Sequence, residues 1–324
     1  MEKTWHIVRY TSPMQQAWDG FVMQSRQPLF LFCRDYMEYH ADRFPDHSLL
    51  CYYGDKLTAV LPAHLSADVF ASHNGLTFGG FLSGTDLTAQ AMLELFAAVK
   101  AYLQKNTQAH RWCYRPIPYI YTRYPAEEDL YALFRMGAVL RQRKVSSVIQ
   151  QADALPFSTL RKRKVKKAGK ENYLVLQDDG WAAFWDVLQE NLRERHQAVP
   201  VHSLNEILLL HSRFPQNIVL YRVVDAAGQT VAGTVLYISE CALHVQYIAS
   251  TSDGRMNGAV DLLFDHLIHE IYPQKKYFDL GTSVEQGGWF LNEGLIFQKE
   301  GMGGRAVVYD MYELDLVHGT HLNY

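Results

Sequence analysis

Cysteine is scarce in this chain. The four cysteines among 324 residues, Cys33, Cys51, Cys113 and Cys241, are far apart and form no CxxC pair. That spacing fits neither a zinc knuckle nor a disulfide framework, and free thiols in a reducing compartment are the expectation. An excess of one charge is missing as well: 31 Lys and Arg stand against 34 Asp and Glu, a net charge of −3. Such a balance offers no global attraction to DNA or to anionic lipid, so any charged ligand must be met locally. No apolar run approaches the roughly 20 residues of a membrane span. Residues 1–6, MEKTWH, lack the apolar core of a signal peptide. These absences predict a cytoplasmic protein with no membrane span and no DNA partner.

What is present is apolar and aromatic: 48% of residues are hydrophobic and 13% aromatic, enough for two packed cores. The length makes two domains of roughly 150 residues the natural division. In the first half, residues 12–25 read as a helix with Pro13 in its first turn, and 34–40 as a shorter one. Apolar runs at 49–53 and 57–60 flank Gly54-Asp55-Lys56, a hairpin signal. Met92, Phe96, Val99 and Leu103 share one face of a helix over 88–104. A strand at 111–114, a helix at 128–135 and two strands reaching Gln150 complete this half. Residues 151–157 read as the linker, which gives domains 1–152 and 153–324.

The second half opens on a basic run. Seven of the eleven residues from Leu160 to Lys170 are Lys or Arg, either a solvated helix face or a cationic wall for a phosphorylated ligand. Helices are expected at 181–195 and 203–212, the latter with Ser203 and Glu206 as a capping box. Strands follow at 218–224, 231–238 and 242–249. Then come a helix at 258–271, a strand at 276–280 and a final strand at 306–314. Val260, Leu263, Phe264, Leu267 and Ile271 form the buried stripe of that helix. The two halves repeat an order of elements rather than a sequence.

One junction carries chemistry. The strand ending at Ser250 runs through Arg255-Met256-Asn257-Gly258-Ala259 onto a helix. Unpaired backbone N–H groups and the positive end of the helix dipole converge at such a junction and favour an anion. Gly258 admits close backbone approach, and Arg255 adds a mobile positive charge. An ordinary strand-to-helix turn would look the same in isolation.

The order of elements resembles that of the GNAT acetyltransferases. Residues 255–260 resemble that family's pyrophosphate loop, Arg/Gln-x-x-Gly-x-Gly/Ala, with Val260 in place of the last small residue. The stretch Phe297-Gln-Lys-Glu-Gly-Met-Gly-Gly304 resembles Phe-Lys-x-x-Phe-Gly-Gly of the Fem-type tandem GNAT aminoacyltransferases of peptidoglycan bridges. The basic run is similar to the start of their second domain, whereas their inserted helical hairpin is not apparent. The resemblance implies an α/β (α+β) fold of two tandem GNAT-like domains, each a mixed, mostly antiparallel sheet flanked by helices. It implies an N-acyltransferase that takes its acyl group from acetyl-CoA or another acyl-CoA. The acceptor it implies is an amino group on a small-molecule, glycan or peptide precursor of the cell envelope. A Fem-like use of aminoacyl-tRNA, and a non-catalytic binding protein of the same fold, are the alternatives.

The resemblance also implies a site. Backbone N–H groups near Ile248 and Ala249 would meet the carbonyl oxygen, and Arg255, Met256, Asn257, Gly258 and Ala259 the pyrophosphate. His244 and Asp279, the latter an acid between Phe278 and Leu280, are the candidate bases, with Glu285 an outsider. The first half has no equivalent loop, so one donor site per chain is expected. Acceptor contacts are expected from His73 and Asn74, beside Gly75, Gly79 and Gly80, and from His202 and Asn292. Arg195 and His196 stand in the same interhelical segment as His202. Each candidate has an ordinary alternative: a core histidine, a paired carboxylate, a tight glycine loop, a helix end at Asn292. His266 and His269 lack both an HExxH order and a third ligand, so no metal is expected.

Overall fold

A computed structural model of the chain describes residues 4–196 and 198–317, the side chains of Arg195 and His196 excepted. The chain divides into two compact units. Among the described residues, the first comprises those up to Lys144, Gln286–Gly288 and 308–317; the second is Val145–Glu285 with Trp289–Val307.

The first unit has a four-stranded antiparallel sheet, Trp5–Arg9, Leu49–Tyr53, Lys56–Leu61 and Leu82–Ser83 in that order. A further group pairs His64–Ser66, Val69–Ala71 and Arg111–Tyr114, and Tyr312 to Asp315 of the last strand pair with Tyr114 to Arg111. The helix Ala89–Asn106, capped by Thr88, buries Met92, Leu95, Phe96, Val99 and Leu103, the expected stripe with one leucine added. Phe96 stacks on Trp112 at 5.1 Å. The fully or nearly buried His40, His64 and His73 form an aromatic box with Phe44.

The second unit is built on a mixed, mostly antiparallel sheet. Its strand order is Leu174–Gln177, Ile218–Val224, Thr230–Ile238, Ala242–Ser250, Tyr277–Thr282 and residues 145–150. One face is covered by Ala259–His266, whose Val260, Leu263 and Phe264 join Leu243, Val245, Phe278 and Leu280 in a core. The helices Trp181–His196 and Leu204–Arg213 lie between the strands Leu174–Gln177 and Ile218–Val224 in the chain, and the second has the expected Ser203–Glu206 capping box.

Three local expectations are corrected. Residues 139–150 form one strand rather than two, because no Gly, Pro, Asn or Asp interrupts them. The turn before Gly258 is itself helical over Ser252–Asn257, capped by Thr251. The helix after it changes to a π turn at Leu267–Ile271, which rotates Ile271 out to 42% exposure instead of onto the buried stripe.

The basic run becomes the helix Thr159–Ala168. Arg161, Lys164, Val165 and Ala168 turn inward at helical spacing. Arg161 Nη1 meets Asp261 Oδ1 at 2.8 Å, both side chains largely buried. Lys164 donates to the carbonyls of Arg255 and Met256, and Lys167 to that of Met256. These lysines complete the C-terminal end of Ser252–Asn257, where free carbonyls favour cations.

Two stability predictions follow from these buried charges. Burial first, then neighbouring His40, His64, Arg34 and Arg115, holds the His73 imidazole down at about 2. Burial and Arg115 hold His64 at about 4, against a smaller opposing pull from Asp46. Depressed histidines add stability above the unfolded value of about 6.5, and lose it as pH falls from there toward the folded values. At pH 5 the loss is on the order of 2 kcal/mol for each. The urea midpoint should therefore drop between pH 7 and 5, and His73→Phe should flatten that drop; an unchanged slope in the variant would count against the account. Arg161→Met should cost about 3–5 kcal/mol by stranding the buried Asp261 charge. Adding Asp261→Leu should recover most of it, and denaturation of the two variants decides the matter.

Candidate functional site

The site begins with two strands that part. Ala242–Ser250 pairs with Thr230–Ile238 through a register slip that leaves Gln246 as an extra residue, since Val235 faces Tyr247 and Leu236 faces Val245. Such a bulge bends its strand. On its other edge the strand pairs in parallel with Tyr277–Thr282 over three residues only, Ala242 to His244 against Tyr277 to Asp279. Gly281, at φ +80°, turns the second strand away. Residues 245–250 thus lose that partner, and a cavity of about 410 Å³ opens beside them.

The lining of the cavity is both apolar and cationic. Val245, Ile248 and Ala249 line it from one strand, Leu280 from the other, and Val260 and Phe264 from the helix. Leu295, Lys299 and Met302 contribute from the helix Glu293–Gly301 and its end. Arg161, Lys164 and Arg255 join Lys299, against the single acid Asp261, which Arg161 already pairs. A ligand with an apolar part and an anionic part matches such a lining.

Lys299 is the buried cation of the set. Its Nζ donates to the carbonyls of Gly281 and Thr282, both at 2.8 Å. Burial lowers its pKa to about 8, with the Asp279 charge opposing the shift. Two of the ammonium's three protons are therefore held, and one remains to act.

The expected bases come together. His244 Nδ1 donates to Asp279 Oδ2 at 2.6 Å, and Asp279, fully buried, also accepts from Gly281 N at 2.9 Å and from the Ser146 hydroxyl. A carboxylate on Nδ1 makes Nε2 the accepting nitrogen of the neutral ring. Neither His244 nor Asp279 lines the cavity, yet their strands carry the residues that do. A β-carbon placed on Gly281 would stand 3.8 Å from both His244 Cε1 and Lys299 Nζ. The imidazole and the ammonium thus both border that point.

Of the other donor-site candidates, Ile248, Ala249, Arg255 and Gly258 line the cavity. Met256 is exposed, Asn257 bonds Asp253, and Ala259 is buried in the core behind. At Gly258 (φ +81°) the close approach is made by protein: a β-carbon would lie 2.6 Å from the Lys164 carbonyl oxygen. His202 is buried with Nδ1 2.6 Å from the Tyr247 hydroxyl. Asn292 caps its helix by accepting from Leu295 N, and donates to Glu285. In the first unit, Asn74 bonds His64 and Arg115, while Gly75, Gly79 and Gly80 press on His40, Ser72 and Tyr114. The side chains of Arg195 and His196 lie outside the described residues. Among the described residues no group of three His, Cys, Asp or Glu is arranged for a metal.

Sequence reasoning missed Lys299 and the Arg161–Asp261 pair. The signal for Lys299 was present: it shares helical spacing with Leu295 and Met302, a lysine within an apolar stripe.

No family profile and no curated protein matches the sequence. Solved structures do match it in fold. A crystal structure of FemX aligns at TM-score 0.67 and 12% identity over 96% of this chain and 97% of that one. L-PGS from Bacillus licheniformis aligns at 0.59 and 11%, over 96% and 94%. A tandem GNAT protein from the clavulanic acid biosynthesis pathway aligns at 0.54 and 10%, over 97% and 99%. At such identities the likeness carries the fold alone: the chain has a Fem-like tandem GNAT fold.

Proposed function

We propose that the chain is an N-acyltransferase whose second unit takes an acyl group from an acyl-CoA thioester and delivers it to an amino group. The observation that carries this reading is the cavity at the parted strands, lined by apolar residues and by Arg255, with Lys299 buried in it. Phosphates would meet Arg255, and the acyl end the apolar wall. The amine attacks the thioester carbon, a C–N bond forms, and the C–S bond breaks as the thiolate leaves. Lys299 opposes the charge that develops on the carbonyl oxygen. His244, held by Asp279, takes the proton that the amine sheds. The acceptor class that the Fem resemblance implies is an amine on a cell-envelope peptide or glycan precursor, and this part rests on analogy.

A second reading, an aminoacyl-tRNA donor, is favoured by the exposed residues Lys162, Arg163, Lys166 and Lys170 of the basic helix. Against it, Arg161, Lys164 and Lys167 are already engaged within the protein. Calorimetry separates the two. We expect saturable acetyl-CoA binding and no appreciable binding of charged tRNA at physiological salt. Tight tRNA binding with a steep salt dependence, and none of acetyl-CoA, would replace the first reading by the second.

With hydroxylamine as a probe amine, His244→Ala should slow CoA release about 10²–10⁴-fold while leaving acetyl-CoA affinity in place. The wild-type kcat should also fall as pH rises through about 8, where Lys299 loses its proton. A rate that stays flat to pH 9 would remove Lys299 from this role.

A further inference from the structure

Among the described residues, four cations line the cavity: Arg161, Lys164, Arg255 and Lys299. The two guanidinium groups stay charged and offer no lone pair. Each is also held, Arg161 by Asp261 and Arg255 by the Ser250 carbonyl. The two lysines are amines of the kind that a thioester acylates once they are neutral. Lys164 is half-buried, and its Nζ lies 3.2 Å and 3.1 Å from the carbonyls of Arg255 and Met256. Lys299 is 8% exposed, and both its carbonyl contacts are shorter, at 2.8 Å.

Those two bonds fix how the Lys299 nitrogen is presented. Beyond its carbon, a lysine nitrogen has three positions, and two of them face Gly281 O and Thr282 O. Among the described residues no acceptor meets the third. When the ammonium loses a proton and keeps both carbonyl bonds, the lone pair occupies that third position. Burial favours the loss. It brings the pKa to about 8 against the pull of Asp279, where a free lysine titrates at about 10.4. Near pH 8 about half of Lys299 is therefore neutral, whereas an ordinary exposed lysine is neutral in about one molecule in 250. The other titratable and charged groups around this nitrogen are His244 on the neighbouring strand and Arg161, Lys164, Asp261 and Arg255 of the lining.

We propose that Lys299 is a self-acylation site, whose Nζ takes the acyl group itself when donor is bound and no acceptor amine is present. The nitrogen attacks the thioester carbon, a C–N bond forms, and the C–S bond breaks. The thiolate leaves with the proton that the nitrogen sheds, so no further reactant is required. The product is a neutral secondary amide with a single N–H. One of the two carbonyls then loses its donor, and the cavity loses its buried charge. Without that charge nothing at this position opposes the developing carbonyl oxygen, and transfer stops. The proposal rests on the acyl-CoA reading above and adds a way in which the donor itself closes the site when acceptor is scarce.

The test incubates the wild type at pH 8 with acetyl-CoA and no amine, and maps acetyl groups by peptide mass spectrometry. Lys299 should be acetylated at least tenfold faster than Lys164 or the exposed Lys162 and Lys166. CoA release to hydroxylamine, assayed afterwards, should fall in step with Lys299 occupancy. Unfolding the wild type in urea should bring Lys299 down to the rate of the other lysines, a control that needs no variant. In a protein that binds acetyl-CoA by calorimetry, a Lys299 acetylated no faster than exposed lysines overturns the proposal. So does full activity at complete occupancy. A wild type that binds no acetyl-CoA removes the acyl-CoA reading itself, a result that calorimetry tells apart from either of these.

Discussion

The buried carboxylate of Asp279 is the constraint on which the second unit turns. It reaches Ser146 on one neighbouring strand, His244 on the other, and the backbone of Gly281 on its own. Leaving a carboxylate inside without partners would be prohibitive, so these donors are obligatory and their places are fixed together. The three bonds hold the strands in register up to the residue where they separate. The separation is therefore a clean edge rather than a frayed one, and the cavity beside it keeps its walls. The same carboxylate selects the imidazole tautomer and accepts from the backbone N–H of Gly281, the residue whose carbonyl accepts from Lys299.

Much of this architecture was legible in the chain. Long periodic segments such as Ala89–Asn106 and Leu204–Arg213 were readable because spacing and caps agree there. The strands of the second unit were readable as apolar runs between turn residues. His244 and Asp279 stood out because each breaks an apolar run. What escaped depends on long-range pairing. Nothing near Gln246 announces a bulge, and nothing near Gly281 says that pairing stops there, since both follow from how three strands meet. The return of the last strand to the first unit is equally non-local. The helix Ser252–Asn257 was hidden by its glycine and by low intrinsic propensity, which its Thr251 cap and two lysines at the far end offset.

The basic run shows why composition is a weak guide to partners. Its charge reads as an invitation to phosphate, yet three of its seven cations are spent on Asp261 and on the carbonyls of a neighbouring helix. Burial decides which charges remain for a ligand. Lys299, a single lysine in an apolar stripe, lines the cavity, whereas the exposed members of that run do not. A fold shared at 10–12% identity with FemX and a tandem GNAT protein is compatible with such reassignments, because function resides in the placement of a few side chains on a common frame.

The closing strand has a consequence for how the molecule is made. Tyr312 to Asp315 complete the sheet edge beside Arg111–Tyr114 in the first unit, nearly two hundred residues upstream. During translation the first unit emerges early and must wait, with that edge open, until almost the whole described chain has left the ribosome. At ordinary elongation rates of about 5–20 residues per second, that wait is on the order of ten to forty seconds. The usual order, in which an N-terminal domain finishes folding before its successor appears, is unavailable to this protein. The second unit, whose residues end at Val307, can close before the first, whose sheet edge waits for Tyr312 to Asp315.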